Sequence, residues 1–166
     1  MRWLPVLLLL LHAPAEARPP TLDFELYDLQ SDRLVRTATL RRSSRLVLVD
    51  FFSQSCKPCR KSLPAWRKLH RSHARSGLAL VIVAVPDDMT DREAALGRLQ
   101  RLFRHEPVPF DVVWDKYLLV ARRYGVLHER SLRLPRAFLL DGQGKLLLQD
   151  ARPEPIIAQV RRRLAQ

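Results

Sequence analysis

The sequence has few cysteines, few glycines and no long uninterrupted apolar segment. Cys56 and Cys59 are the only cysteines among 166 residues, so a framework of several disulfides is impossible. Five glycines and twelve prolines, with no low-complexity block, exclude collagen-like and wholly disordered chains. The apolar run at 3–11 is shorter than the roughly 20 residues that a membrane-spanning helix needs. These absences leave a globular chain whose length fits one domain.

The first 17 residues predict a secretory signal peptide. Residues 3–11 hold six leucines, interrupted only by Pro5, after a positive start at Arg2. Ala15-Glu16-Ala17 then forms a small-x-small cleavage pattern. We therefore expect an exported protein, periplasmic if bacterial, with cleavage near Ala17 and a single domain at 18–166. The alternative is an uncleaved anchor at the membrane surface.

The chain is strongly basic. Its 29 Lys+Arg and 17 Asp+Glu give a net charge of +12, which favours anionic partners. Because an exported protein rarely meets DNA or RNA, we expect no nucleic-acid partner, and the compartment should be oxidising. A nucleic-acid-binding protein with an accidental leader is the less favoured alternative.

Hydrophobic periodicity predicts buried strands that alternate with amphipathic helices. The predicted strands lie at 21–29, 34–40, 46–52, 78–85 and 110–114, followed by a hairpin of 137–140 and 145–148. The predicted helices lie at 59–76, 90–105, 116–124 and 153–164, with Thr90 as the cap of the second. In the first helix, Leu63, Trp66 and Leu69 form an apolar packing face. This order predicts a three-layer α/β domain.

The two cysteines lie at the predicted junction between strand 46–52 and helix 59–76. The two intervening residues allow the sulfurs to form a disulfide. Unpaired N–H groups and the helix dipole at a helix N-terminus stabilise a thiolate. Lys57 and Arg60 add positive charge close to Cys56. We therefore expect Cys56 to be the nucleophile and Cys59 to be the resolving thiol.

Other roles for the pair are less favoured. One is a purely structural disulfide, and another is a metal site with His70 and His73, whose spacing differs from that of a zinc finger. Covalent haem is excluded because Arg60, and not histidine, follows Cys59. A peroxidatic single-cysteine site fits poorly, since Val49 stands where that family has a proline. We expect no metal and no cofactor.

Asp50 is the second candidate for a chemical role. Its neighbours in the strand include Val49 and Phe51, so desolvation should raise its pKa and allow it to accept a proton from Cys59. The alternative is an acid at the strand end that pairs with a lysine or caps a turn. Pro135 precedes strand 137–140, where prolines are common, and predicts nothing special by itself.

Two segments resemble thioredoxin-like proteins, and most closely the exported TlpA-like thiol–disulfide oxidoreductases. The first is 47–60, VLVDFFSQSCKPCR, followed by Pro64; the second comprises YGV at 124–126 and LPRAFLLDGQGK at 134–145. The resemblance spans about 21–166 and implies a thioredoxin-like α/β/α sandwich with a mixed central sheet and an N-terminal β extension. It also implies that Pro135 is a cis-proline facing the cysteines. Leu134 would present its backbone to substrate, and Asp50 would be the buried proton-transfer acid.

Three departures from this family affect substrate preference. Ser55 replaces the usual tryptophan before the first cysteine. Residues 127–133 form a longer link than usual before the proline, and Leu134 replaces a small or β-branched residue.

The resemblance implies an exported reductase of protein disulfides, because Pro58 stands at the position where reducing members carry proline. It also implies protein thiol or disulfide substrates and a membrane electron donor. We expect a monomer. The alternatives are a disulfide oxidase or isomerase, and a non-catalytic thioredoxin-fold module that binds an acidic partner.

Overall fold

A five-stranded mixed sheet forms the centre of the protein. The structure is a computed structural model and describes residues 22–165, so the predicted signal peptide lies outside the described residues. In chain order the strands are β1 (Glu25–Tyr27), β2 (Leu34–Arg36), β3 (Leu46–Phe52), β4 (Leu78–Ala84), β5 (Asp111–Trp114), β6 (Leu127–His128), β7 (Ser131–Leu132), β8 (Arg136–Asp141) and β9 (Leu146–Asp150). The helices are α1 (Thr37–Ser43), α2 (Lys57–His73), α3 (Arg92–His105), α4 (Leu119–Arg123) and α5 (Pro153–Leu164).

The sheet order β5-β4-β3-β8-β9 places β3 at the centre. β3 runs parallel to β4 and antiparallel to β8, and all seven of its residues are buried. A strand covered on both faces is a continuous apolar run, which is why this element could be predicted from the sequence. Asp50 lies between Ile82 of β4 and Ala137 of β8.

Helices cover both faces of the sheet. One apolar cluster joins the sheet to α2, α3 and α5 through Trp66, Leu99 and Ile156. A second cluster on the opposite face contains Val35 of β2 and Val120 of α4, with Leu40 of α1 packed against it. The predicted three-layer arrangement with a mixed central sheet is therefore confirmed. Within residues 22–165, no helix combines the length and the apolar character needed to cross a bilayer.

The region before β3 differs from the prediction. The predicted strand 34–40 ends at Arg36, because the chain turns into α1 at Thr37. The buried Thr37 hydroxyl accepts a hydrogen bond from the Phe24 amide, which fixes the start of this helix against the preceding segment. The predicted strand 21–29 is likewise reduced to the three residues of β1.

Three helix starts also differ from the prediction. α3 is capped by Asp91, whose carboxylate accepts from the Ala94 amide at 2.9 Å, while Thr90 bonds to Asp88. α2 begins at Lys57 rather than at residue 59, which makes Cys56 its N-cap. α4 begins at Leu119 rather than at 116.

Asp28 anchors the N-terminal segment to the edge strand β5, and its loss should destabilise the fold. The buried carboxylate accepts from the Val112 amide at 2.7 Å and from the amide and hydroxyl of Ser31. Asp28→Ala removes the carboxylate and leaves these N–H and O–H groups without their acceptor. We therefore expect the free energy of unfolding in urea to fall by roughly 1–3 kcal/mol. The exposed Glu106→Ala should change it by less than about 0.5 kcal/mol. Equal losses in the two variants would contradict this role of Asp28.

Candidate active site

Cys56 lies where the central strand passes into a helix. β3 ends at Phe52, and after a three-residue link Cys56 occupies the N-cap of α2. The Cys56 amide donates to the Ser53 carbonyl at 3.2 Å, and the Cys59 amide donates to Cys56 Sγ at 3.2 Å. The sulfur therefore occupies the place of a capping oxygen, where the helix N–H groups and dipole favour a negative charge.

Cys56 and Cys59 form a disulfide. The S–S distance is 2.07 Å and the two Cα atoms are 5.3 Å apart. Cys59 is only 1% exposed, whereas Cys56 is half-buried and reaches the surface. Only the Cys56 sulfur can therefore react with another molecule, either as the attacking sulfur or as the sulfur that is attacked.

The first turn of α2, which follows Cys56, carries basic side chains and a proline. Lys57 and Arg60 are both exposed, and they line a shallow cavity of about 320 Å³ together with Lys61 and Glu106. Pro58 lies in the first turn, where its missing N–H leaves no intrahelical hydrogen bond unmade. Local charge and helix geometry therefore both favour an anion at Cys56.

Asp50 is a buried acid with one side-chain hydrogen bond. It is 2% exposed, and its Oδ2 accepts from Trp66 Nε1 at 3.0 Å. Burial raises the pKa of Asp50 to about 8, although the Trp66 hydrogen bond acts in the opposite direction. At neutral pH this carboxyl is mostly protonated, and it can exchange a proton in the physiological range.

Trp66 does more than the packing that the sequence predicted. Its indole lies in the same apolar cluster as Cys59, while its N–H holds the Asp50 carboxyl. The sequence signal was available, because a buried tryptophan N–H usually finds a hydrogen-bond partner and Asp50 was the acid expected in the core.

Leu134 and Pro135 immediately precede β8, the strand next to β3. Their peptide bond is cis, and Pro135 directly precedes β8. β8 is antiparallel to β3, with Ala137 opposite Asp50 and Arg136 opposite Phe51, so the start of β8 lies beside the end of β3. Leu134 lines the same groove as Cys56.

A groove of about 590 Å³ opens beside Cys56. Its lining comes from four separate stretches of chain: Ser53, Ser55, Cys56, Lys57 and Pro58; Pro86, Asp87 and Met89; Leu118; and Arg130, Leu132 and Leu134. The long link 127–133 is a β-hairpin of β6 and β7, and it supplies Arg130 and Leu132 to the groove.

Sequence reasoning missed the part of the groove that follows β4 and β5. Met89 and Leu118 each follow a predicted strand. The structure shows that these strands, β4 and β5, are parallel, and the carboxyl ends of parallel strands meet at one edge of a sheet. That rule could have predicted that the segments after β4 and β5 lie near Cys56, although it does not say which of their side chains line the groove.

His70 does not join the site. Its ring packs edge-on against Phe110 at 5.5 Å, and burial lowers its pKa. In the described range, 22–165, no group of three or more His, Cys, Asp or Glu side chains is placed to hold a metal ion.

Comparison with known proteins places the chain in a family. The model of the family described as AhpC/TSA matches residues 18–148. The chain belongs to the AhpC/TSA family. Among curated proteins, this AhpC/TSA member is 29% identical over 101 residues to thiol-disulfide oxidoreductase ResA of Bacillus thuringiensis subsp. konkukian. The matched region is 61% of this chain and 51% of ResA, so the chain spans about half the length of the curated relatives it matches.

Solved structures confirm the thioredoxin-like fold of this AhpC/TSA chain. A Chlorobium tepidum protein assigned as thiol:disulfide interchange protein DsbE superposes with a TM-score of 0.71 at 27% identity, covering 86% of this chain and 93% of its own. A thioredoxin-family thiol:disulfide interchange protein from Chlorobium tepidum TLS gives 0.69 at 20% identity, with 90% and 99% covered. The predicted family resemblance is consistent with these relatives.

Proposed function

We propose that the protein is a thiol–disulfide oxidoreductase that reduces disulfides of protein substrates. The observation that carries this proposal is the Cys56–Cys59 disulfide at the N-terminus of α2, with one sulfur accessible and the other buried. The names of ResA and of the DsbE-assigned structure support the same chemistry.

Reduction proceeds by two exchanges of sulfur–sulfur bonds. The Cys56 thiolate attacks one sulfur of the substrate disulfide, and the other substrate sulfur leaves as a thiolate. Cys59 then gives its proton to the Asp50 carboxylate and attacks Cys56 Sγ. The second substrate sulfur leaves, the Cys56–Cys59 disulfide forms, and two electrons have passed to the substrate.

The surrounding residues bind substrate and stabilise the thiolate. Leu134 and Pro135, immediately before β8, present backbone to an extended substrate segment in the groove. Lys57, Pro58 and Arg60 favour the anionic form of Cys56 through charge and through the geometry of the first helical turn. The oxidised pair needs an electron donor to begin another cycle, and a membrane protein is the expected donor in an oxidising compartment.

The direction of the reaction is tested by two measurements. Equilibration of the pair with glutathione should give a reduction potential closer to the about −270 mV of thioredoxin than to the about −120 mV of DsbA. The protein should also accelerate reduction of insulin disulfides by dithiothreitol above the rate without protein. A potential near −120 mV would indicate an oxidase, and absence of acceleration would favour a non-catalytic binding module.

Export of a single mature domain at 18–166, after cleavage near Ala17, belongs to the same proposal. Its support is the leader-like pattern of residues 1–17. N-terminal sequencing of the product exported by a bacterial host should begin near Arg18. A product that retains residues 1–17 would contradict cleavage.

A further inference from the structure

Two basic side chains line the groove beside Cys56 without an acidic partner. Lys57 and Arg130 both contribute to the lining, and neither takes part in an ion pair among the residues that the structure describes. The remaining charged residue of the groove, Asp87, already has its carboxylate 2.7 Å from Arg98 Nη2. The groove therefore presents uncompensated positive charge next to the accessible sulfur.

The rest of the groove suits a polypeptide. Met89 is 41% exposed, and Leu132 and Leu134 are partly exposed, so apolar side chains cover its wall. Ser55, which lines the groove next to Cys56, is a small residue and leaves space there. The space and the apolar lining can accept side chains that flank a substrate cysteine.

Arg130 is held in place by a short hairpin. Leu127 pairs with Leu132 and His128 pairs with Ser131, which leaves Glu129 and Arg130 as a two-residue loop. The Arg133 amide donates to the Val126 carbonyl at 2.8 Å and closes the base of the hairpin. Glu129 has φ = 54°, a conformation typical of two-residue hairpin loops. The backbone therefore places Arg130 at the groove.

We propose that Arg130, together with Lys57, makes this groove select protein substrates that carry an acidic side chain next to the reacting cysteine. This inference rests on the proposed thiol–disulfide exchange. Opposite charges across a binding surface accelerate association and disfavour partners of the wrong charge. The hairpin thus determines specificity without taking part in the sulfur chemistry.

The test compares peptides that differ at one position. The substrates are symmetrical disulfides of one capped peptide with Glu, Gln or Lys beside its cysteine, each normalised to its rate with 2-mercaptoethanol. The reduced protein should prefer the Glu peptide over the Gln peptide by about two- to fivefold, the range expected for an exposed ion pair. High salt should remove this preference.

The decisive variant is Arg130→Gln, with Arg133→Gln as its matched control. Arg133 is exposed and belongs to the same link, but it does not line the groove. Arg130→Gln should lose most of the Glu preference, measured as the ratio of the rates with the Glu and Gln peptides, and Arg133→Gln should retain this ratio. Lys57 is left intact because it also acts on the Cys56 thiolate.

Two results would overturn the inference alone. The first is the same peptide preference in Arg130→Gln and in the unmodified protein. The second is a loss of the Glu preference in Arg133→Gln that equals the loss in Arg130→Gln, which would show that only the net charge of the protein matters. If no peptide disulfide reacts with Cys56, the proposed function itself fails, and the inference fails with it.

Discussion

Replacement of Cys56 by serine should reduce catalysed insulin reduction to the rate measured without protein. Cys56 is the sulfur that reaches the surface, and Cys59 is 1% exposed, so no second thiol can start the reaction. The serine hydroxyl cannot form the mixed disulfide. The expected loss is therefore complete, rather than a fractional decrease, and the turbidity of the reduced insulin chains measures it.

Cys59→Ser is the matched control because it also breaks the disulfide but keeps the accessible thiol. It should release one thiolate per protein molecule from a peptide disulfide and then stop at the mixed disulfide. Mass spectrometry of the intact protein should find the peptide attached at Cys56. Insulin reduction that persists in Cys56→Ser would contradict the assignment of the nucleophile.

Replacement of Asp50 by asparagine should slow resolution of the mixed disulfide by roughly 10²-fold, a typical contribution of a general base. Asp50 is a buried group whose pKa is raised to about 8, and asparagine has a similar shape but cannot accept the proton. Rapid mixing of the reduced protein with a peptide disulfide separates the first attack from resolution. The first attack should be nearly unchanged.

The pH dependence tests the same role with a defined sign. In the unmodified protein the resolution rate should rise with pH up to about 8, because only the carboxylate accepts a proton. In Asp50→Asn the inflection near pH 8 should disappear, and the rate should follow only the loss of the Cys59 proton to solvent. In Trp66→Phe the rise should move to higher pH. The indole hydrogen bond lowers the pKa of Asp50, so its removal should raise that pKa.

Folding stability gives a second measure of this ionisation. The pKa of Asp50 is about 8 in the folded protein against 3.8 for an exposed aspartate, so the folded state holds the proton over a wider pH range. The contribution of the Asp50 carboxyl to the free energy of unfolding is fully present below about pH 4 and is lost as the pH rises through 8. Asp50→Asn should lack this loss in urea unfolding.

The control for Asp50→Asn is Asp111→Asn. Burial also raises the pKa of Asp111, but this residue lies on the edge strand β5, two strands away from β3. Its replacement should leave the pH profile of resolution unchanged. A profile altered equally by both substitutions would indicate a general electrostatic effect and contradict the role of Asp50.

The sequence predicted those parts of the site that are local along the chain. β3 and β4 are long apolar runs, and Cys56 and Cys59 follow β3 directly, so strand, helix and disulfide could all be inferred from neighbouring residues. Asp50 could be recognised because an acid among apolar strand residues is unusual.

The remaining parts depend on contacts between distant segments. Met89, Leu118 and Arg130 meet Cys56 only through the sheet topology and the hairpin, which no local pattern encodes. α1 was missed because a seven-residue helix that begins Thr37-Ala38-Thr39 has weak helical propensity and is fixed by tertiary contacts such as the Phe24–Thr37 bond.

The amide of Cys59 donates to the same sulfur that forms the disulfide. In the oxidised protein that sulfur is neutral, and in the thiolate that starts the proposed reaction it carries a negative charge. An anion at a helix N-terminus is worth about 0.3–1 kcal/mol to the helix. Stabilisation of this thiolate by the N-terminus of α2 therefore favours the electron-rich form of the protein over the disulfide.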